Sequence, residues 1–250
     1  MGRIDALMGR IRQLSPEGTI YAKRASLLDK YLVQVMKAER SEVMDKEEKR
    51  LQLNLHVAPV AAEEFPTDEQ WSRAAEHKLI SAERMTPGLQ ANGSFRILAS
   101  RERLFLRATL EEPLIANSMT DKRHQTGSDE IWKDNCIELF FYSETDSRFW
   151  QVIVNDRGAW CSQTKGRVLL HWVLMEGLLA RCSQTEGGWT AELSIPLKEL
   201  GPDTKGLRFN LTRERNVNGG TAEFSTWSPL AMLGNWHGVE NYGTLIFDEK

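Results

Sequence analysis

From residue 51 onward, apolar and polar residues alternate with a period of two. In LQLNLHVAPV (residues 51–60), Leu51, Leu53, Leu55 and Val57 fall on one side and the polar residues on the other, the signature of a half-buried strand. The same alternation, or a short dense apolar run, predicts strands over residues 95–99, 103–109, 136–142, 149–155, 159–163, 178–184, 189–195, 207–213 and 243–247. Turn chemistry separates them: Asn155-Asp156-Arg157-Gly158 in one place, Glu186-Gly187-Gly188 in another. Pro196 ends a strand and opens a helical turn over residues 197–200. Many short strands at this spacing predict a sandwich or barrel.

The first fifty residues follow a different period. Ser15 and Pro16 are suited to a helix cap and a first helical position. Ile20, Leu27, Leu28, Tyr31, Leu32, Val35 and Met36 then recur at helical spacing before a charged run, and a shorter helix is expected over residues 4–14. Two such helices cannot bury their own apolar stripe. The expectation is a mainly β chain: an antiparallel, jelly-roll-like β-sandwich over residues 51–250, preceded by an N-terminal helical segment over residues 1–50 that is the tail of an upstream domain.

Composition narrows the function. With 41% hydrophobic and 27% charged residues and a formal net charge of −3, the chain reads as a soluble globular protein without the basic patch a nucleic acid would need. No apolar run approaches the ~20 residues of a membrane span, so no membrane partner is expected. The opening MGRIDALMGRIRQL has no signal-peptide core. Cys136, Cys161 and Cys182 lack metal-ligand spacing and read as buried free thiols. There is no phosphate loop, nucleophile elbow or zinc signature, so independent catalysis is not expected. The eight tryptophans outnumber the four tyrosines. Trp71, Trp150 and Trp189 read as core. Any tryptophan off the core face is a candidate platform for a flat ligand.

The order of segments carries a resemblance. Trp71 is followed by RLFLRATL, then IWKDNCIELFF with Trp132, Asp134 and Glu138. FWQVIVNDRG comes next, then GGWTAELSIPLKEL with Trp189, Glu192, Ile195 and Pro196. The FNLTR strand (Phe209 to Arg213), the STWS turn around Trp227 and HGVENYGTLIF close the series. This succession, over residues 62–250, resembles the family 9 carbohydrate-binding modules. The resemblance implies a non-catalytic module that holds a terminal sugar between two tryptophans, here Trp132 and Trp227, and so anchors a glycan-degrading enzyme. Structural Ca2+ is also implied, with acidic loop residues such as Asp121, Asp129 and Asp134 as candidate oxygen donors, although no contiguous calcium-loop motif names a site. The position that supplies a basic side chain in the best-known binders falls on Ile153. The helical segment resembles the tail of large bacterial glycoside-hydrolase-like proteins. An upstream catalytic domain and a secreted or periplasmic location, as part of a longer chain, follow from that likeness.

Strand parity fills in the polar edge of the site. Glu138 falls on the face opposite Ile137, Leu139 and Phe141. A carboxylate among so many apolar neighbours needs a partner. It either accepts from sugar hydroxyls, as its family counterpart does, or pairs with an arginine such as Arg213. Gln151 and Asn155 share one face of the next strand and suit sugar hydroxyls. Three other readings compete. One is a structural or protein-docking sandwich with no sugar affinity, another an enzyme using Asp134 and Glu138, and the third a haem site drawing on His171 or His237.

Overall fold

The computed structural model describes residues 53–82, 88–165, 170–218, 223–230 and 235–248; the helices expected over residues 1–50, and Leu51, lie outside the described residues. In chain order the elements are β1 (Asn54–Pro59), α1 (Asp68–Ser72), β2 (His77–Lys78), β3 (Ile80–Ser81), β4 (Gly93–Ala99), β5 (Arg103–Glu111), β6 (Cys136–Ser143) and β7 (Phe149–Asn155). They continue with β8 (Trp160–Lys165), β9 (Leu170–Trp172), β10 (Leu179–Thr185), β11 (Gly188–Pro196), α2 (Leu197–Leu200), β12 (Leu207–Arg215), β13 (Glu223–Thr226) and β14 (Gly243–Phe247). Short 3-10 turns occupy Ile115–Asn117, Ile131–Lys133 and Val239–Asn241.

The strands form two sheets joined through β1. The first runs β1-β14-β12-β6-β7-β8-β9, with β13 beside β12. The second runs β1-β4-β5-β11-β10, with β2 on β4. Residues 54–57 pair with β14 and residues 58–59 with β4, both in parallel. Alternation identifies strands but does not encode their direction, and the all-antiparallel expectation is corrected at this one strand. All other strand pairs among the described residues are antiparallel.

The inward faces make one core. Leu55 and Val57 of β1, Ile97, Leu106, Leu193 and Ile195 meet Ile137, Leu139, Phe141, Val152, Val154, Phe209, Leu211 and Leu245 across the sandwich. Each fully buried side chain of this kind contributes about 1.5–3 kcal/mol, which makes this layer the main source of stability. Trp150 and Trp189 belong to it. Trp71 packs instead in a small cluster with Leu98 and Phe105, under the Arg107 guanidinium 5.1 Å from its ring centroid. It is carried by α1, whose start is fixed by a reciprocal cap between Thr67 and Gln70.

The outward face of the first sheet is different. Ladder pairing places Thr226, Thr212, Glu138, Ile153 and Cys161 in one row across five strands. A second row runs Asn210, Phe140, Gln151, Gln163 and Trp172, and a third Phe224, Glu214, Cys136 and Asn155. Cross-strand partners share a face. The inner surface of these strands is therefore apolar, while the outer one mixes buried polar groups with aromatics.

Candidate functional site

The outer-face polar groups are organised by hydrogen bonds. Gln151, 4% exposed, donates through Nε2 to Glu138 Oε2. Its Oε1 accepts from Gln163 Nε2 and from His237 Nε2 at 2.9 Å. The carboxylate can only accept, which fixes the Gln151 amide and makes His237 Nε2 a donor. The His237 ring stands edge-on to Phe140 and Phe149. Burial, followed by the charge of Lys165, holds its pKa below the usual histidine value, so the ring is a neutral donor at pH 7.

Among the described residues no cation pairs with Glu138. Its direct neighbours across the ladders are Ile153 and Thr212. Burial is the main force on its carboxyl, with the Glu214 charge second, and together they push its pKa up to about 7 against the pull of the Gln151 bond. Burial also raises Glu214 to about 7. One carboxylate oxygen of each and the Cys136 sulfur lie within 4.8 Å of one another. Cys136 itself is fully buried and donates weakly to the Trp132 carbonyl, with its pKa well above the usual thiol value, so it stays a thiol.

Aromatic groups rim this floor. The Ile131–Lys133 turn lies on the outer face because Ile131 packs with Cys136, Ile153 and Cys161. The next residue, Trp132, is thereby held at the surface with 44% of its area exposed. Lys133 Nζ lies 5.5 Å from its ring centroid. Phe224, paired with Glu214, stacks at 5.6 Å on Trp236, which in turn packs against the cluster of Phe140, Phe149 and Tyr242. Trp172, 42% exposed, ends the row that begins at Asn210.

The family model described as carbohydrate family 9 binding domain-like matches residues 66–250. The chain belongs to this family. A candidate carbohydrate-binding protein from Bacteroides uniformis ATCC 8492 is similar in fold, with a TM-score of 0.64 and 19% identity over 78% of this chain and 99% of that one. A family 9 module from Caldicellulosiruptor kristjanssonii, solved with glucose, gives a TM-score of 0.57 and 12% identity over 79% of this chain and 96% of that one. The same module with cellotriose gives 0.57 and 12% over 79% and 94%. No curated protein matches in sequence.

Within this family 9 module the expected site residues separate. Trp132, Glu138 and Gln151 are on the outer face. Trp227 is not. Thr226 points outward with Thr212, so the next residue turns inward. There the Trp227 ring meets Phe209 at 5.7 Å and Phe95 at 6.0 Å between centroids, packed against the main core. Arg213 is also corrected. It pairs across β6 with the core residue Ile137, is 1% exposed, and bonds to Glu112 Oε2 at 3.0 Å and to the Ala91 carbonyl at 3.2 Å. It can neither neutralise Glu138 nor reach a ligand on the outer face.

Asn155 belongs to the turn rather than to a ligand. Its Oδ1 accepts from the Arg157 and Ala159 amides, and its Nδ2 donates to Asp134 Oδ2 at 2.8 Å. The residues proposed for Ca2+ do not fit a cation. Asp134 accepts from His124 Nδ1, the Asp121 amide and Asn155, while Asp121 is gripped by Arg123. Asp129 is exposed.

Sequence reasoning missed Glu214, Phe224 and Gln163 and gave Trp236 and His237 no part in a sugar site. For Glu214 the signal was parity: it lies two residues from Thr212, opposite Cys136. For Phe224 there was none, because the strand that carries it is four residues long.

Proposed function

We propose that this module binds a saccharide on the outer face of its first sheet, with Trp132 as the apolar platform and Glu138, Gln151 and His237 as the polar edge. The observation that carries this reading is an exposed indole on the same sheet face as the hydrogen-bonded series His237–Gln151–Glu138, in which Gln151 and Glu138 are buried. Sugar rings offer a C–H face to the one and hydroxyls to the other. The glucose and cellotriose in the complexes of the Caldicellulosiruptor kristjanssonii module support the ligand class. With Trp227 packed against the core, the second wall of the slot is the Phe224–Trp236 pair. Glu138 and Glu214 lie side by side on one sheet face, whereas glycoside hydrolysis needs two carboxylates flanking the scissile bond. The reading is therefore of a binding module, one that anchors an associated glycan-degrading enzyme as part of a longer exported chain.

Titrating the chain with glucose, cellotriose and a panel of other sugars, while following tryptophan fluorescence, tests this. A saturable shift is expected, lost in Trp132→Ala at unchanged melting temperature. No response to any sugar, or the same response in Trp132→Ala, would sink it. The competing reading, a protein-docking sandwich without sugar affinity, is favoured by the exposed apolar edge at Leu170, Trp172, Val173 and Leu174. It predicts no shift with any sugar.

A further inference from the structure

We infer that the preferred ligand is a protonated amino sugar, whose ammonium sits between the carboxylates of Glu138 and Glu214 while its ring lies on Trp132. This rests on the saccharide-binding reading and names its ligand class. Three observations converge. First, two carboxylates on adjacent strands share a face on which, among the described residues, neither has an ion-pair partner. The ladder neighbours of Glu138 are Ile153 and Thr212, and those of Glu214 are Cys136 and Phe224. The nearby arginines of β12, Arg213 and Arg215, face the other way and are both bound to Glu112.

Second, the spacing suits the group. Two N–H···O bonds of about 2.8 Å leaving one ammonium at a tetrahedral angle place their acceptors about 4.6 Å apart. One oxygen of Glu138 and one of Glu214 fall within 4.8 Å of each other. Of the Glu138 oxygens, Oε2 is taken by Gln151, while Oε1 has no protein donor among the described residues.

Third, the platform is in place. Trp132 stands at the rim on a turn anchored to the same face by Ile131, and the Phe224 ring is the direct neighbour of Glu214. An ammonium among aromatic faces and carboxylates gains from both. A neutral sugar would leave two desolvated acids facing each other. The cost of that burial is visible in both carboxyls, raised to about 7. A metal ion on the same atoms would need the Cys136 thiolate, and the thiol is instead a buried donor to a carbonyl.

The test is calorimetric titration of the full chain at pH 7 with glucosamine, glucose and N-acetylglucosamine, repeated on Glu214→Gln and Glu138→Gln, with Zn2+ alone as a separate arm. Glucosamine is expected to bind at least about tenfold more tightly than either neutral sugar, as befits charge-assisted bonds. That ratio should fall towards one in Glu214→Gln. If glucose binds as well as glucosamine, or better, the inference is overturned and the saccharide reading stands. If none of the three sugars binds, the inference falls, and the saccharide reading falls with it when cellotriose and the wider sugar panel also give no response. A preference that survives in both variants places the amine elsewhere and overturns the inference. So does micromolar Zn2+ binding that competes with glucosamine and disappears in Cys136→Ser.

Discussion

The Trp227 indole rests on Gly243, so close that a side chain there would collide with its Cη2 and Cζ3 atoms and with the Leu53 carbonyl. This contact, with Phe95 and Phe209 on the other sides, makes Trp227 a wedge at the edge of the core. Gly243→Ala is expected to destabilise the fold by about 1–3 kcal/mol through overpacking, and Trp227→Ala by about 3 kcal/mol through a cavity. Urea denaturation checks both. Sugar affinity measured well below the melting temperature should persist in Trp227→Phe. Loss of binding in a folded Trp227→Phe would return Trp227 to the site.

Glu112 stands at the inner end of the sandwich with no exposed surface and takes Arg215 Nε at 2.8 Å and Arg213 Nη2 at 3.0 Å. Burial already presses the Arg213 pKa down to about 10 despite this carboxylate. Glu112→Gln removes the carboxylate that two buried guanidiniums share, leaving Arg213 the weaker influence of the Glu223 and Glu111 charges. A loss of about 3–5 kcal/mol is expected, because an unpaired buried charge costs more than the pair contributes. A loss under about 1 kcal/mol by chemical denaturation would show that water or relaxation satisfies the arginines.

Gln151 is the hinge of the polar chain, accepting twice and donating once. Gln151→Leu keeps the volume but frees the exposed His237 N–H and strands the buried Gln163 amide and one Glu138 oxygen. About 1–3 kcal/mol of stability should be lost for such buried orphans. The affinity for sugar should fall with it, because Glu138 loses the bond that orients it. Unchanged affinity in this variant would show that Glu138 is positioned by something other than Gln151.

Much of this was legible in sequence and some of it could not be. Period-two alternation located β7 and β14 at their observed bounds and most other strands within two residues, because one buried face imposes that pattern. The parity of Glu138 and Gln151 was also readable, since it depends only on local alternation. Trp227 does lie in a bend, just after β13, but a turn does not encode which way its side chain points: the Trp227 amide still bonds to the Leu211 carbonyl, and the ring turns towards the core. Arg213 failed because it was matched to Glu138 on charge alone. It faces in because Glu112, 101 residues away in the chain, waits to pair with it. Such long-range partners, and the parallel pairing of β1, leave no local trace.

Glu138 and Glu214 also make stability depend on pH in an unusual sense. Both carboxyls have native pKa values near 7, above the 4.5 expected of an unfolded chain. The native state therefore holds these protons more tightly, and the stability they contribute is complete below pH 4.5 and lost as pH rises through about 7. The groups facing them are Cys136, a thiol throughout, and, through Gln151, the neutral His237. Asp121 and Asp146 act in the opposite direction at acid pH, since Arg123 on the first, and hydrogen bonds from Ser143 and Arg148 on the second, lower their pKa values. The difference between wild type and Glu214→Gln isolates the pair. Removing one charge should raise stability at pH 8 by about 1–2 kcal/mol, discounted from the full shift because Glu214 is partly exposed and the two acids are coupled. The gain should shrink to near zero at pH 4.5. Denaturation curves at the two pH values measure it, and a gain that is the same at both would show that the two carboxyls do not share this buried environment.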